Sequence, residues 1–227
     1  MAKNKKSTGV NPYRKEQPKR KKSHIVIGIV LTIVLLVAAY FMIWGNSGSN
    51  VAPGAPVELP SGFEPEYYAE IDIEGYGVIT VGLDEDAAPL SVENFVALAE
   101  SGFYDGLTFH RIMEGFMMQG GDPKGNGSGG TEPITGEFSA NGIDNPLPHV
   151  RGAISMARAQ DMNSGSCQFF IVHADSSFLD GQYACFGYVT EGIEVVDAVC
   201  GTAAPIDNNG TIPADQQPVI NSITIRK

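Results

Sequence analysis

The 227-residue sequence predicts a mainly β domain, a closed antiparallel barrel capped by two helices, with one transmembrane helix before it. Short apolar stretches separated by Gly, Pro and Asn recur along the C-terminal two thirds of the chain, which is typical of a β-barrel. Only two segments there place apolar residues at helical spacing. A third observation, an uncharged apolar run behind a basic N-terminus, predicts the transmembrane helix.

The N-terminus combines a basic tail with a membrane-length apolar run. Residues 1–24 are basic and poor in apolar side chains, so we expect a disordered tail. Residues 25–44 carry no charge, and twenty helical residues at about 1.5 Å each span roughly the 30 Å of a bilayer core. Tyr40 and Trp44 lie at the far end, where aromatic rings favour the membrane interface. The positive-inside rule then places the tail in the cytoplasm and the remaining chain outside the cell membrane.

A cleaved signal peptide is the alternative interpretation of this segment. Such peptides have an apolar stretch of about 7–15 residues and a cleavage site between small residues. The run of residues 25–44 is longer, and residues 45–48 (GNSG) offer no convincing site. We therefore favour an uncleaved, single-pass signal-anchor. A flexible linker rich in Gly, Ser, Asn, Pro and Ala follows over residues 45–64, and the folded domain is predicted for residues 65–227.

The charge distribution argues against a nucleic-acid partner. The net charge is −11, but nine of the 15 Lys and Arg precede residue 25, together with only one of the 26 Asp and Glu. The rest of the chain therefore holds six basic and 25 acidic residues, a formal charge of −19. A domain this acidic lacks the basic surface that binds phosphates. Binding of nucleic acid by the tail alone conflicts with its place against the membrane anchor.

Within the domain, the predicted elements follow from periodicity and turn residues. Apolar residues alternate with acidic ones over residues 67–73, and after a turn at residues 75–77 a partner strand returns over residues 78–81. A helix is predicted from Pro89, with Ser91 as an early cap, to Gly102. Further predicted elements are strands around 108–112, 116–119, 152–157, 168–173, 185–189 and 219–226, and a helix over 193–200.

Two motifs carry the chemistry. Residues 109–123 read FHRIMEGFMMQGGDP, and further along the chain come QFFI at residues 168–171 and FLDG at residues 178–181. An arginine beside large apolar side chains suits a site that holds an apolar group and polarises a neighbouring carbonyl. Both motifs resemble the signature of the cyclophilin-type peptidyl-prolyl cis-trans isomerases. The resemblance implies an eight-stranded barrel with a helix at either end and isomerisation of X–Pro bonds in unfolded or flexible polypeptides, without a cofactor or a metal.

The same resemblance implies roles for individual residues. Arg111 is the expected catalytic residue, donating to the prolyl carbonyl and stabilising the twisted bond. The expected lining of the proline pocket is Phe116, Met117, Phe170 and Leu179. Gln119 is expected to hydrogen-bond the peptide backbone, while Ala157 and Gln168 flank the residue before the proline.

Two further site residues, Phe178 and Tyr183, depart from the eukaryotic pattern. Many eukaryotic members carry Trp at the first position and His at the second. Phenylalanine is familiar at the first position in bacterial members, and Arg158 is bacterial in style as well. Because phenylalanine lacks the indole N–H donor, we expect weakened cyclosporin binding. Together with the anchor, these residues indicate a bacterial membrane-anchored form acting on exported or cell-surface proteins.

Other interpretations of the same residues are less specific. His110 invites a role as general base, but strand alternation points it away from the face of Arg111, so we interpret it as structural. His149 and His173 lack a carboxylate or a second histidine at metal-ligand spacing, so we interpret both as structural too. Three cysteines show no metal spacing, and we assign no disulfide. A surface module that binds or holds polypeptides through the proline pocket, without depending on catalysis, remains the alternative function.

Overall fold

The computed structural model describes residues 55–227. The predicted tail (1–24), transmembrane helix (25–44) and residues 45–54 of the predicted linker lie outside the described residues. Among residues 55–227, no helix combines the length and the apolar character needed to cross a membrane.

The described residues form eight strands and two α-helices, in the order that the sequence predicts. The strands are β1 (Tyr67–Ile73), β2 (Gly77–Leu83), β3 (Phe109–Met113), β4 (Met117–Gly120), β5 (Ala153–Met156), β6 (Phe169–Val172), β7 (Cys185–Glu191) and β8 (Ile220–Arg226). The helices are α1 (Pro89–Glu100) and α2 (Ile193–Thr202). Each predicted strand segment and both helices are confirmed, with bounds shifted by one or two residues.

The strands build one curled antiparallel sheet in the order β3-β4-β6-β5-β7-β2-β1-β8. The predicted closed barrel is wrong, because the edge strands β3 and β8 do not pair along their length. The chain does pair where these strands begin: Thr108 forms an isolated bridge with Val219, and the Phe109 amide donates to the Pro218 carbonyl at 2.9 Å. The outer edge of β3 is instead occupied by a loop, since the Ile112 amide donates to the Gly210 carbonyl at 2.8 Å. The sheet is therefore an open half-barrel.

Apolar side chains fill the concave face of this sheet. Phe95 of α1 contacts Phe169 of β6 and Phe186 of β7 there, with ring centroids 5.3 and 5.4 Å apart, and all three side chains are fully buried. α1 packs against β8 and α2 against β2. Burial of these large rings supplies the main driving force for closing the helices over the sheet.

The N-terminus of α1 is capped by a residue that is distant in sequence. Ser91, the predicted cap, lies inside the helix, and the residue at the cap position, Ala88, makes no side-chain hydrogen bond. The buried Glu137 carboxylate instead accepts from the amides of Leu90 at 2.9 Å and Ser91 at 2.8 Å, and from the Ser91 hydroxyl at 2.6 Å. A carboxylate at this end is favourable because the first helical amides lack partners and carry partial positive charge.

A second apolar cluster covers part of the convex face, and the candidate site lies there. It contains Phe116, Met117, Phe170 and Leu179 as buried members. The described end of the predicted linker also packs on the domain. Phe63 lies edge-on to Tyr188, with ring centroids 5.0 Å apart.

Candidate active site

One row of residues crosses four neighbouring strands on the convex face. Arg111 of β3 pairs with Gln119 of β4, Gln119 pairs with Phe170 of β6, and Phe170 pairs with Ser155 of β5. Directly opposite residues on adjacent strands project to the same face of a sheet. The intervening positions point the other way, and Met118, for example, is fully buried in the concave core. The register therefore brings the arginine and the phenylalanine to one surface.

A cavity of about 120 Å³ opens on this surface. Its lining is Arg111, Phe116, Met117, Gln119, Ala157, Arg158, Phe170, Leu179 and Tyr183. Eight of the ten predicted site residues are in this lining. Gln168 lines an adjoining cavity of about 310 Å³. Phe178 is 37% exposed and packs at the rim, with its ring centroid 5.5 Å from that of Phe116.

The guanidinium of Arg111 is held over the cavity by three kinds of contact. Its Nε donates to the Asn209 carbonyl at 2.7 Å, and Nη1 donates to Gln119 Oε1 at 3.3 Å. The Met113 Sδ atom lies 3.4 Å from Nη2. The Cζ atom lies 5.9 Å from the Phe116 ring centroid, within cation–π range. The donor group is thus positioned before any substrate enters.

Burial affects the pKa of this arginine but leaves it charged. It lowers the pKa of the Arg111 guanidinium, while the nearby Tyr183 and Asp207 act in the opposite direction. Because the guanidinium group of arginine is very strongly basic, the side chain stays protonated at neutral pH. A permanent, partly desolvated cation therefore faces an otherwise mostly apolar cavity.

A chain of side-chain amides orients Gln119 toward the arginine. Gln119 Nε2 donates to Gln168 Oε1 at 3.0 Å, and Gln168 Nε2 donates to the Gly129 carbonyl at 2.7 Å. With its amide nitrogen engaged in this way, Gln119 presents its oxygen to Arg111. The two glutamines are therefore preorganised as one hydrogen-bonded unit.

Phe170 is backed by a buried polar group that sequence reasoning did not connect to the site. The His149 ring stacks on Phe170, with an interplanar angle of 16° and centroids 6.1 Å apart. Its Nδ1 lies 2.9 Å from Asp180 Oδ1, and its Nε2 lies 3.1 Å from Ser155 Oγ. Burial lowers the pKa of His149, opposed by its hydrogen bond to Asp180. A neutral ring that donates to Asp180 and accepts from Ser155 fits both contacts.

This Asp–His–Ser arrangement is not placed to attack a substrate. Ser155 is fully buried behind Phe170 and does not line either cavity described above. We therefore interpret His149 as a support for the aromatic wall, in line with its predicted structural role.

A second histidine supports the turn that joins β3 to β4. The Gly115 amide donates to His173 Nδ1 at 2.8 Å, and His173 Nε2 lies 3.1 Å from Asp197 Oδ1. Asp197 also pairs with Arg151 at 2.8 Å. Burial lowers the pKa of His173, which favours the neutral ring that accepts from Gly115. This contact holds the turn between Arg111 and Phe116.

The remaining reactive side chains lie away from the cavity. His110 is 4% exposed and neither of its ring nitrogens has a hydrogen-bond partner among the described residues. Cys167, Cys185 and Cys200 are free and buried, and burial raises the pKa of the last two to about 12. In residues 55–227, no three His, Cys, Asp or Glu side chains are grouped as a metal site.

The cavity is suited to noncovalent chemistry. Its lining contains two arginines and a tyrosine but no carboxylate, histidine, cysteine or serine. It can hold an apolar ring against Phe116, Met117 and Phe170 while fixed donors address a carbonyl or an amide nitrogen. Sequence reasoning missed the Asn209 carbonyl, the support by His149, and Arg158 in the lining. Residues 207–210 (DNNG) signal a turn, but nothing local links that turn to Arg111.

The chain is similar to known isomerases. The family model described as "Cyclophilin type peptidyl-prolyl cis-trans isomerase/CLD" matches residues 68–226. Peptidyl-prolyl cis-trans isomerase A of Dickeya dadantii is 47% identical over 128 residues, 54% of this chain and 66% of that protein. Peptidyl-prolyl cis-trans isomerase B of Bacillus subtilis is 47% identical over 122 residues, 54% of this chain and 82% of that protein.

A solved structure is similar as well. The crystal structure of a cyclophilin type peptidyl-prolyl cis-trans isomerase from Cryptosporidium parvum, obtained in the presence of the dipeptide Ala-Pro, superposes with a TM-score of 0.62 at 30% sequence identity. The superposition covers 70% of this chain and 99% of that chain.

His110 generates a prediction about pH. Burial lowers its pKa, opposed by Asp122 and reinforced by Arg111. As pH falls through the unfolded-state value near 6.5, the unfolded chain takes up a proton that the folded chain does not, so stability is lost. We expect His110→Leu to lose less free energy of unfolding than the parent between about pH 8 and about pH 5.5, measured by denaturant titration.

At the alkaline end, the same substitution is expected to change the free energy of unfolding by no more than about 1 kcal/mol, because both ring nitrogens lack partners. His149 and His173 have lowered pKa values too, so the variant keeps part of the dependence. If the parent and His110→Leu lose the same free energy of unfolding between about pH 8 and about pH 5.5, the lowered pKa of His110 is contradicted.

Proposed function

The chain belongs to the cyclophilin-type peptidyl-prolyl cis-trans isomerase family, and we propose that it accelerates rotation about X–Pro bonds in exported or cell-surface polypeptides. The enzyme class predicted from the sequence is confirmed by the family match and by relatives near 47% identity. The observation that carries the mechanism is the guanidinium of Arg111, fixed by Asn209 and Gln119 above an apolar cavity.

The reaction requires no covalent step. Amide resonance gives the peptide bond a rotation barrier of about 18–20 kcal/mol, and X–Pro bonds isomerise unassisted in tens to hundreds of seconds. Twisting the bond removes the resonance and leaves a lone pair on a pyramidal nitrogen. A catalyst therefore needs a pocket for the proline ring, a donor for the developing lone pair, and little water.

In this proposal, each part of the site has one role. The proline ring sits against Phe116, Met117, Phe170 and Leu179. Arg111 donates to the prolyl carbonyl and stabilises the nitrogen lone pair in the twisted state, which is preferential binding of the transition state. Gln119 hydrogen-bonds the peptide backbone, and Ala157 with Gln168 flanks the residue before the proline. Tyr183 and Phe178 complete the aromatic rim.

The first test removes the donor. We expect Arg111→Ala in the full chain to lower kcat/KM for a proline tetrapeptide about 10²–10³-fold, the cost of removing one preorganised donor. Isomerisation would be followed in a protease-coupled assay. Arg226→Ala is the matched control, because this exposed arginine pairs with Glu70, lines neither cavity and carries the same charge. The control is expected to keep the parent rate.

The Arg111→Ala variant also distinguishes an isomerase from a module that only binds polypeptides. If the parent and Arg111→Ala accelerate the reaction equally, the proposed role of the arginine is wrong. If the parent folds but does not accelerate isomerisation, a surface module that holds polypeptides through the proline pocket becomes the better proposal. A cellular effect that survives Arg111→Ala while the isomerase rate is lost also favours that module.

The place of action is a proposal that rests on the N-terminal sequence. The basic residues before position 25 and the uncharged run of residues 25–44 support a single-pass anchor with a cytoplasmic N-terminus. Phe178 and Arg158 support a bacterial origin. Substrates emerging unfolded across the membrane contain X–Pro bonds whose slow isomerisation can limit folding.

Protease treatment of intact cells tests this topology. With tags at both ends of the full chain, we expect loss of the C-terminal tag and protection of the N-terminal one, because only the domain is exposed. Permeabilised cells serve as the control and should lose both tags. A protected domain with an exposed tail would reverse the proposed orientation.

The rim residue Phe178 generates a prediction about inhibition. A tryptophan here would add an indole N–H donor, and a neutral hydrogen bond contributes about 0.5–1.5 kcal/mol, or roughly two- to tenfold in affinity. We expect the parent to bind cyclosporin weakly and Phe178→Trp to bind it severalfold more tightly by calorimetry. Phe178→Leu, which adds no donor, should not gain affinity. Equal affinities of the parent and Phe178→Trp would overturn this explanation.

A further inference from the structure

Arg158 occupies the rim that the two cavities share. It follows β5 in the chain and lines the cavity of about 120 Å³ together with Arg111. It also lines the adjoining cavity of about 310 Å³, next to Gln119, Ala157 and Gln168. A polypeptide that places its proline in the first cavity and continues into the second must therefore pass this side chain.

The guanidinium of Arg158 is fixed in place. Its Nε and Nη2 donate to the Gln182 carbonyl at 3.0 and 2.9 Å, and Nη1 donates to the Ala159 carbonyl at 3.0 Å. Its Cζ lies 4.7 Å from the Tyr183 ring centroid and 5.1 Å from that of Phe138. Because the planar group is already ordered, little side-chain entropy remains to be lost when a ligand binds.

The charge of Arg158 is not neutralised locally. In residues 55–227, no carboxylate forms an ion pair with it, and the acceptors of its hydrogen bonds are backbone carbonyls. The other residues that line the larger cavity are all uncharged. The smaller cavity adds only the positive charge of Arg111. The combined groove is therefore cationic, although the chain beyond residue 24 has a formal charge of −19.

We propose that Arg158 is a specificity-determining residue that makes this isomerase prefer X–Pro bonds with Asp or Glu at one of the two positions before the proline. The proposal rests on the proposed function, since the larger cavity borders Ala157 and Gln168, which flank the residue before the proline. A carboxylate there meets an ordered cation that has hydrogen-bonding capacity left and no competing acid. Lysine at the same positions meets like charge.

Tetrapeptide substrates test the preference. The set carries Glu, Gln or Lys at either of the two positions before proline, and kcat/KM and Kd are measured for the full chain. At low salt and at one of the two positions, we expect kcat/KM for the Glu peptide to exceed that for the isosteric Gln peptide about three- to fivefold. This ratio is in line with a partly exposed ion pair. The ratio should shrink toward one at about 0.5 M salt, where such pairs are screened.

Three variants test whether the Glu/Gln ratio of kcat/KM depends on Arg158. Arg158→Gln should bring the Glu/Gln ratio to about one, whereas Arg158→Lys keeps the charge and should keep part of the preference. Arg226→Gln makes the same change in net charge at an ion pair that lines neither cavity, so it should leave the parent ratio intact. Because the ratio compares two peptides on one protein, a loss of overall stability does not imitate the effect.

The outcomes separate this proposal from the proposed function. Turnover of the Gln peptide reports isomerase activity by itself. If that peptide is turned over and the parent ratio is one or less, or is the same in Arg158→Gln, the proposal fails while the function stands. If no peptide is turned over, the proposed function fails, and the Glu/Gln ratio of dissociation constants still decides the role of Arg158.

Discussion

The register of four antiparallel strands is the constraint on which the rest of the site depends. Arg111, Gln119, Phe170 and Ser155 are directly paired across β3, β4, β6 and β5, so they project from one face. A slip of one residue would turn the arginine into the concave core and would expose Met118 or its neighbours. Dense apolar packing on the concave face therefore specifies the position of the polar residues on the convex face.

Polar contacts then convert this approximate placement into a fixed geometry. On one side, Gln168 and the Gly129 carbonyl orient Gln119, which in turn orients Arg111. On the other, His149 is held by Asp180 and Ser155 and stacks on the phenylalanine wall. Since each of these groups has a hydrogen-bond partner within the protein, the site is ordered without a ligand. That order suits a reaction in which donors must meet a twisted bond rather than form a covalent bond.

Much of the fold could be predicted because its signals are local. Alternation over Ala69, Ile71 and Ile73, the positions of glycine and proline, and two stretches of helical spacing located the strand and helix segments, whereas the count of eight strands followed from the family resemblance. The residues that line the cavity were grouped by the resemblance of the motifs around Arg111 and Gln168 to the family signature. The signals for strands and helices reside in neighbouring residues, where backbone geometry links side-chain spacing directly to the face on which a residue lies.

The sequence by itself thus determined the elements, the family and the apolar pocket with its arginine. Only the tertiary structure decided the strand order, the opening of the sheet beside β3, and three long-range contacts. Glu137 caps a helix that begins almost fifty residues earlier, the Asn209 carbonyl holds an arginine almost a hundred residues away, and Arg158 stacks on Tyr183 at the rim of two cavities. Contacts of this kind depend on where the folded chain brings distant segments together. The spacing of residues along the chain does not predict which distant segments become neighbours in space.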